Sequence, residues 1–103
     1  MALSLRPNCE YCDKDLPADS LEARICTYEC TFCADCVDTH LSNVCPNCGG
    51  GFVPRPIRPA KAWRPDTGLA VDLPGTKRRH TKYSREELQA FSLTIRGIAA
   101  AER

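Results

Sequence analysis

The sequence has no apolar run long enough to cross a membrane and no cysteine after position 48. Its opening residues, MALSLRPNCEYCDKD, contain no basic region followed by an apolar stretch of signal-peptide length. A soluble, cytoplasmic protein with no membrane partner is therefore expected. Catalytic patterns are missing too. No nucleophile, base and orienting group are suggested by any spacing, and no glycine-rich phosphate loop leads into a helix, because the glycines of CPNCGGG follow a cysteine knuckle and read as a turn. Asp13, Asp15 and Asp19 read as solvated loop acids. The expectation is a protein without enzymatic activity.

What the chain does have is eight cysteines, all between positions 9 and 48. A segment of that size buries too little apolar surface to offset its chain entropy and needs staples or a metal. In a reducing compartment closely spaced cysteines point to metal or redox chemistry rather than to disulfides. The densest stretch, CTYECTFCADC, lies within the series Cys9-x2-Cys12-x13-Cys26-x3-Cys30-x2-Cys33-x2-Cys36-x8-Cys45-x2-Cys48. A C-x2-C turn lets two sulfurs reach one ion, and a tetrahedral zinc takes two such pairs. Eight thiolates make two complete four-sulfur sites, hence two Zn²⁺ per chain with no position left for a catalytic water. An iron–sulfur run reads C-x2-C-x2-C-x3-C followed by proline. Here the close run is spaced 3, 2, 2 and the proline follows Cys45. A thiol redox switch is the lesser option, since full ligation makes thiolates less reactive. With enough thiolates available, His40 reads as an exposed or partly packed helix residue and His80 as part of a basic run. The spacing alone leaves sequential and interleaved pairing of the cysteines both open.

The whole order, a pair, a long loop, a pair spaced by three, two knuckle cysteines starting a helix and then CPNC, resembles the cross-brace of RING-type domains. That resemblance implies Cys9, Cys12, Cys33 and Cys36 on one ion and Cys26, Cys30, Cys45 and Cys48 on the other. The wording LRPNCEYCDKDLP, EARICTYECTFCADC and VCPNCGGGFVPRPIRPA is similar to a family of short, mainly bacterial proteins classed as a domain of unknown function. It implies a small RING-like, treble-clef-type zinc module and supplies no established activity. The expected fold is thus a metal-stabilised α+β module with a short hairpin around Ile25 to Phe32 and a short helix from Ala34 to Ser42. Its core candidates are Leu16, Leu21, Ile25, Phe32, Val37, Leu41 and Val44. Ubiquitin-ligase activity would need a hydrophobic residue in the first knuckle and a proline in the last, roles that Tyr11 and Pro46 fill. It would also need a bulky residue on the central helix and a long basic residue after Cys48, where Val37, His40 and Gly49 to Gly51 stand instead.

Charge divides the chain. Residues 1–53 carry 3 Lys and Arg against 8 Asp and Glu, and residues 54–103 carry 11 against 5. We read residues 1–53 as the zinc module, 54–76 as a proline-rich linker and 77–103 as a basic stretch with an amphipathic helix. Pro54, Pro56, Pro59 and Pro65 favour extended backbone and argue against a packed element. Trp63 stands alone there and reads as a packing anchor. Ser84 and Glu87 form a capping-box signature, and Leu88, Phe91, Ile95 and Ile98 fall on one helical face. That stripe is too short for an autonomous coiled coil and Gly97 weakens it, so it needs a partner surface: the module, a second copy or another protein. Lys77, Arg78, Arg79 and Lys82 are candidate nucleic-acid contacts, a weakly supported reading beside one in which the basic stretch folds back on the acidic module. The function expected is that of a zinc-binding adaptor or regulatory module with a protein partner.

Overall fold

Alternation around Ile25 resolves into a hairpin in the computed structural model, which describes residues 2–103. Met1, the first residue of the expected 1–53 module, lies outside the described residues. Strand β1 (Ala23–Ile25) pairs antiparallel with β2 (Thr31–Cys33) in the register Ala23↔Cys33, Arg24↔Phe32, Ile25↔Thr31. Ala23 and Ile25 are buried and Arg24 between them is not, the period-2 signature of a half-buried strand. The turn closes through Glu29 N–H donating to the Cys26 carbonyl at 3.1 Å, with Glu29 at φ 66°. On the other edge of β1 lies β3 (Val53–Pro54), giving the order β2-β1-β3. A proline is compatible with that place because an outer strand has one side free of ladder bonds. The expectation that Pro54 stands outside any packed element is corrected here.

Cys33 ends β2 and starts α1 (Ala34–Cys36), its sulfur accepting from Cys36 N–H at the N-cap. The helix continues as a wider π-type turn over Val37–Leu41 and stops where Ser42 and Asn43 turn left-handed at φ 50° and 59°. Val37 and Leu41, one turn apart, share the inward face at 5 % and 1 % exposure. The chain then forms the last knuckle, and Gly49 at φ 80° closes it by donating to the Cys45 carbonyl at 2.7 Å.

Six of the seven expected core residues are buried, and Phe32, Leu16, Leu41 and Val44 form its largest part with the cysteines around them. Leu21 is the exception, 81 % exposed. The chain bends at Ser20 to Glu22, with Ser20 N–H on the Pro17 carbonyl and Glu22 N–H on Ser20 Oγ. Strand pairing begins only at Ala23, so the inward phase of β1 does not extend back to Leu21. Leu5 and Leu88 enter the buried set instead.

Beyond β3 the chain runs back along the N-terminal residues. Arg55 is buried at 4 % exposure, and its guanidinium donates to the carbonyls of Arg6, Leu16 and Pro17 at 2.8, 3.3 and 2.9 Å. Arg58 donates to the Asp72 carbonyl, and Gly75 N–H to the Leu5 carbonyl. Arginine side chains thus supply donors in a stretch where proline removes backbone ones. Trp63 is 75 % exposed with Lys61 5.9 Å from its ring centre, so it is not the packing anchor expected.

Helix α2 (Arg85–Ile95) begins with the capping box, Ser84 Oγ accepting from Glu87 N–H and Glu87 Oε1 from Ser84 N–H. It lies against the π-type turn, with Leu88 at 2 % and Ser92 at 3 % exposure. Its Ile95 and Phe91 side chains come within 3.6 and 3.8 Å of where a Cβ on Gly49 would stand. A helix of 11 residues is marginal alone, and the module is the surface that holds it. The helix ends at Ile95, so Ile98 falls past it at 41 % exposure. Among the described residues no helix is long and apolar enough to cross a membrane.

Candidate metal centre

Seven of the eight cysteines form two groups of thiols, and none of the eight is in a disulfide. In the first group, the sulfurs of Cys9, Cys12, Cys33 and Cys36 all lie within 4.8 Å of one another. Cys9 and Cys12 sit on a turn held by Cys9 N–H on the Lys14 carbonyl at 2.9 Å and Asp13 N–H on the Cys9 carbonyl at 3.0 Å. Cys33 and Cys36 come from the end of β2 and the first turn of α1. A zinc tetrahedron with Zn–S near 2.3 Å has S···S edges of about 3.8 Å. The Cys12 and Cys33 sulfurs are 3.8 Å apart, far outside disulfide length.

The second group brings together Cys26, Cys45 and Cys48. Cys26 accepts from Tyr28 N–H at 3.3 Å and Cys48 from Gly50 N–H at 3.4 Å. Cys30 stands outside this set of three and accepts from the Asn47 side-chain amide at 3.4 Å. The groups interleave along the chain, one drawing on 9–12 and 33–36 and the other on 26 and 45–48.

Burial and crowding set the electrostatics of these thiols. Burial, followed by hydrogen bonding to Cys33 and the charge of Cys9, pushes the Cys36 thiol far above its ordinary range. Burial does the same to Cys45, aided by the charges of Cys30 and Cys26. Cys33 and Cys30 are raised, burial again first. Cys12 is the contrary case: burial works to raise it, yet the Lys14 backbone N–H and hydrogen bonds with Cys9, Cys36 and Cys33 outweigh it and bring the thiol below its usual value. Crowded, buried thiols cannot ionise together without a positive centre, and a dication reverses that balance. The donor sets of four and three thiols therefore fit a thiophilic metal such as zinc.

His40 joins neither group. It is half-buried, its ring 4.9 Å from that of Tyr11, and its Nδ1 is buried without a hydrogen-bond partner. His80 is exposed and its Nδ1 lies 2.8 Å from the Thr81 carbonyl. In the basic stretch, Arg78 is held by the module, its guanidinium 2.8 Å from Asp13 and 2.7 Å from Asp15. Asn8 donates to the Arg79 carbonyl and accepts from Arg79 N–H, and Thr81 N–H donates to the Glu10 carbonyl. Asp13 and Asp15 are therefore not merely solvated. Lys77, Arg79 and Lys82 remain exposed. Of the apolar stripe, Leu88 is in the core, Ile95 is half-buried and Phe91 is 40 % exposed.

Sequence reasoning did not single out Asn47, Asn8 or Arg55. The signal for Asn47 is its place inside a C-x2-C turn; the other two show no pattern, because Arg55 donates to backbone carbonyls far along the chain and Asn8 bonds the Arg79 backbone as well as the Asp13 carboxylate.

An uncharacterised protein of Rhizobium meliloti (strain 1021), R02474, is 69 % identical over 58 residues, covering 56 % of this chain and 69 % of that protein. No solved structure matches the chain. The model of the family described as "Protein of unknown function (DUF1272)" matches residues 2–58, which span both cysteine groups, and the chain belongs to that family.

Proposed function

We propose that the protein is a cytoplasmic, zinc-stabilised adaptor or regulatory module that binds two Zn²⁺ in a RING-like cross-brace and catalyses no reaction. Cys9, Cys12, Cys33 and Cys36 would hold one ion, and Cys26, Cys30, Cys45 and Cys48 the other. The observation that carries this reading is the interleaving of two sulfur groups in a chain segment with little other core. Four thiolates per ion leave no open coordination position, which is the mark of a structural site.

The surface left for a protein partner includes Phe91, Leu93 and Ile98, which are 40, 60 and 41 % exposed. A nucleic-acid reading of the basic stretch has less support, since Arg78 is engaged by Asp13 and Asp15. A ligase-like reading also has less, because Pro46 shares its groove with Tyr83, Leu88 and Phe91 of the same chain. Native mass spectrometry of protein purified without a metal-affinity tag tests the proposal. Two zincs per chain, lost together with the fold on chelation, are expected; iron, or intramolecular disulfides without metal, would overturn it.

A further inference from the structure

Two of the four cysteines assigned above to the second ion receive hydrogen bonds from backbone amides. Cys26 accepts from Tyr28 N–H and Cys48 from Gly50 N–H. Cys30 has no such donor among the described residues. It runs straight into β2, and the next amide, Thr31 N–H, is taken at 2.7 Å by the buried Glu10 carboxylate. The hydrogen bond to Cys30 comes instead from a side chain, Asn47 Nδ2 at 3.4 Å, reaching across from the opposite knuckle. Cys30 is also the sulfur that stands apart from the other three.

We propose that Asn47 is the positioning residue of the second metal site: its amide holds the Cys30 sulfur toward Cys26, Cys45 and Cys48 and sets how firmly that site keeps its ion. The inference rests on the two-zinc reading above. The amide N–H of Asn47 reaches the Cys30 sulfur at 3.4 Å, a contact that fixes where that side chain stands. Around metal sites such outer partners are worth roughly 10- to 100-fold in metal affinity. Asn47 also links the two knuckles, because it sits between Cys45 and Cys48 and its amide reaches Cys30. Among the described residues the first group has no counterpart: Cys33, its inner cysteine, accepts from the backbone of Cys36.

The experiment is competition between the zinc-loaded full chain and a chromogenic chelator, on the wild type, Asn47→Ala and Asn47→Asp. Asp keeps the shape of Asn, removes the donor and adds a negative charge beside the thiolate. One of the two zinc equivalents is expected to weaken by roughly 10- to 100-fold in Asn47→Ala and by more in Asn47→Asp, while the other stays at its wild-type affinity. Cobalt substitution adds a spectroscopic readout, with the thiolate-to-metal absorption of one site reduced in the variants. Two zincs held as in the wild type, or equal weakening at both sites, would overturn the proposal alone. A wild-type chain that binds fewer than two zincs would overturn the reading beneath it.

Discussion

Replacing Leu88 by alanine tests whether α2 is part of the module or an appendage to it. Leu88 is 2 % exposed and belongs to the same buried cluster as Cys36, Val37 and Leu41. Truncating a fully buried leucine costs about 2–5 kcal/mol, from lost transfer free energy and the cavity left behind. The cost should fall toward the lower end, because α2 can shift along the π-type turn and close part of the void. For a domain of this size each kcal/mol lowers Tm by about 4–8 °C. The assay is thermal and urea unfolding at saturating zinc, with Leu93→Ala as the control. Leu93 lies on the same helix at 60 % exposure, and a surface change of that kind stays within about 0.5 kcal/mol. A Leu88→Ala variant no less stable than Leu93→Ala would refute the docking of α2 on the module.

Cys45→Ser removes a fully buried proposed ligand and should leave the chain with one firmly held zinc and a poorly folded last knuckle, read by metal content and near-UV circular dichroism. A fully metallated, well-folded variant would contradict the assignment. Arg78→Ala should raise hydrogen exchange at the Arg79 and Thr81 amides, which the module now holds, with little change in overall stability because the ion pairs are exposed and screened. Unchanged exchange would show that the stretch docks without Arg78. Zinc retention should fall as pH falls. The metal-free thiols of Cys36 and Cys45 keep their protons beyond the ordinary thiol value of 9.0, so zinc must displace protons across the whole range below it. Affinity therefore rises with pH through neutrality, and chelator competition at several pH values should follow that direction.

The parts legible in the sequence are those governed by local spacing. The C-x2-C turns, the period-2 run around Ile25 and the Ser84–Glu87 pair each act within a few residues, and each appears where the pattern put it. The start of the short helix at Ala34 was equally plain, although its second half is π-type and ends at Leu41 rather than Ser42. What was hidden depends on the path of the chain between elements. Leu21 looks like a core residue until the bend at Ser20 to Glu22 turns it out. Arg55 looks like a solvated cation in a proline-rich stretch, yet carbonyls of Arg6, Leu16 and Pro17 converge on it. Sequence distances of 38 to 49 residues separate those partners, and no periodicity reports them. The charge pattern of the basic stretch is compatible with docking and with binding elsewhere; Asn8, Glu10, Asp13 and Asp15 hold residues 78–81 against the module.

The claim on which the rest depends is that each sulfur group encloses a zinc ion with no open position. X-ray absorption at the zinc edge, on protein with its metal content measured on the same sample, tests it most directly. The account predicts two zincs per chain, each surrounded by four sulfurs at about 2.3 Å. A shell containing nitrogen or oxygen, or a single zinc per chain, would contradict it.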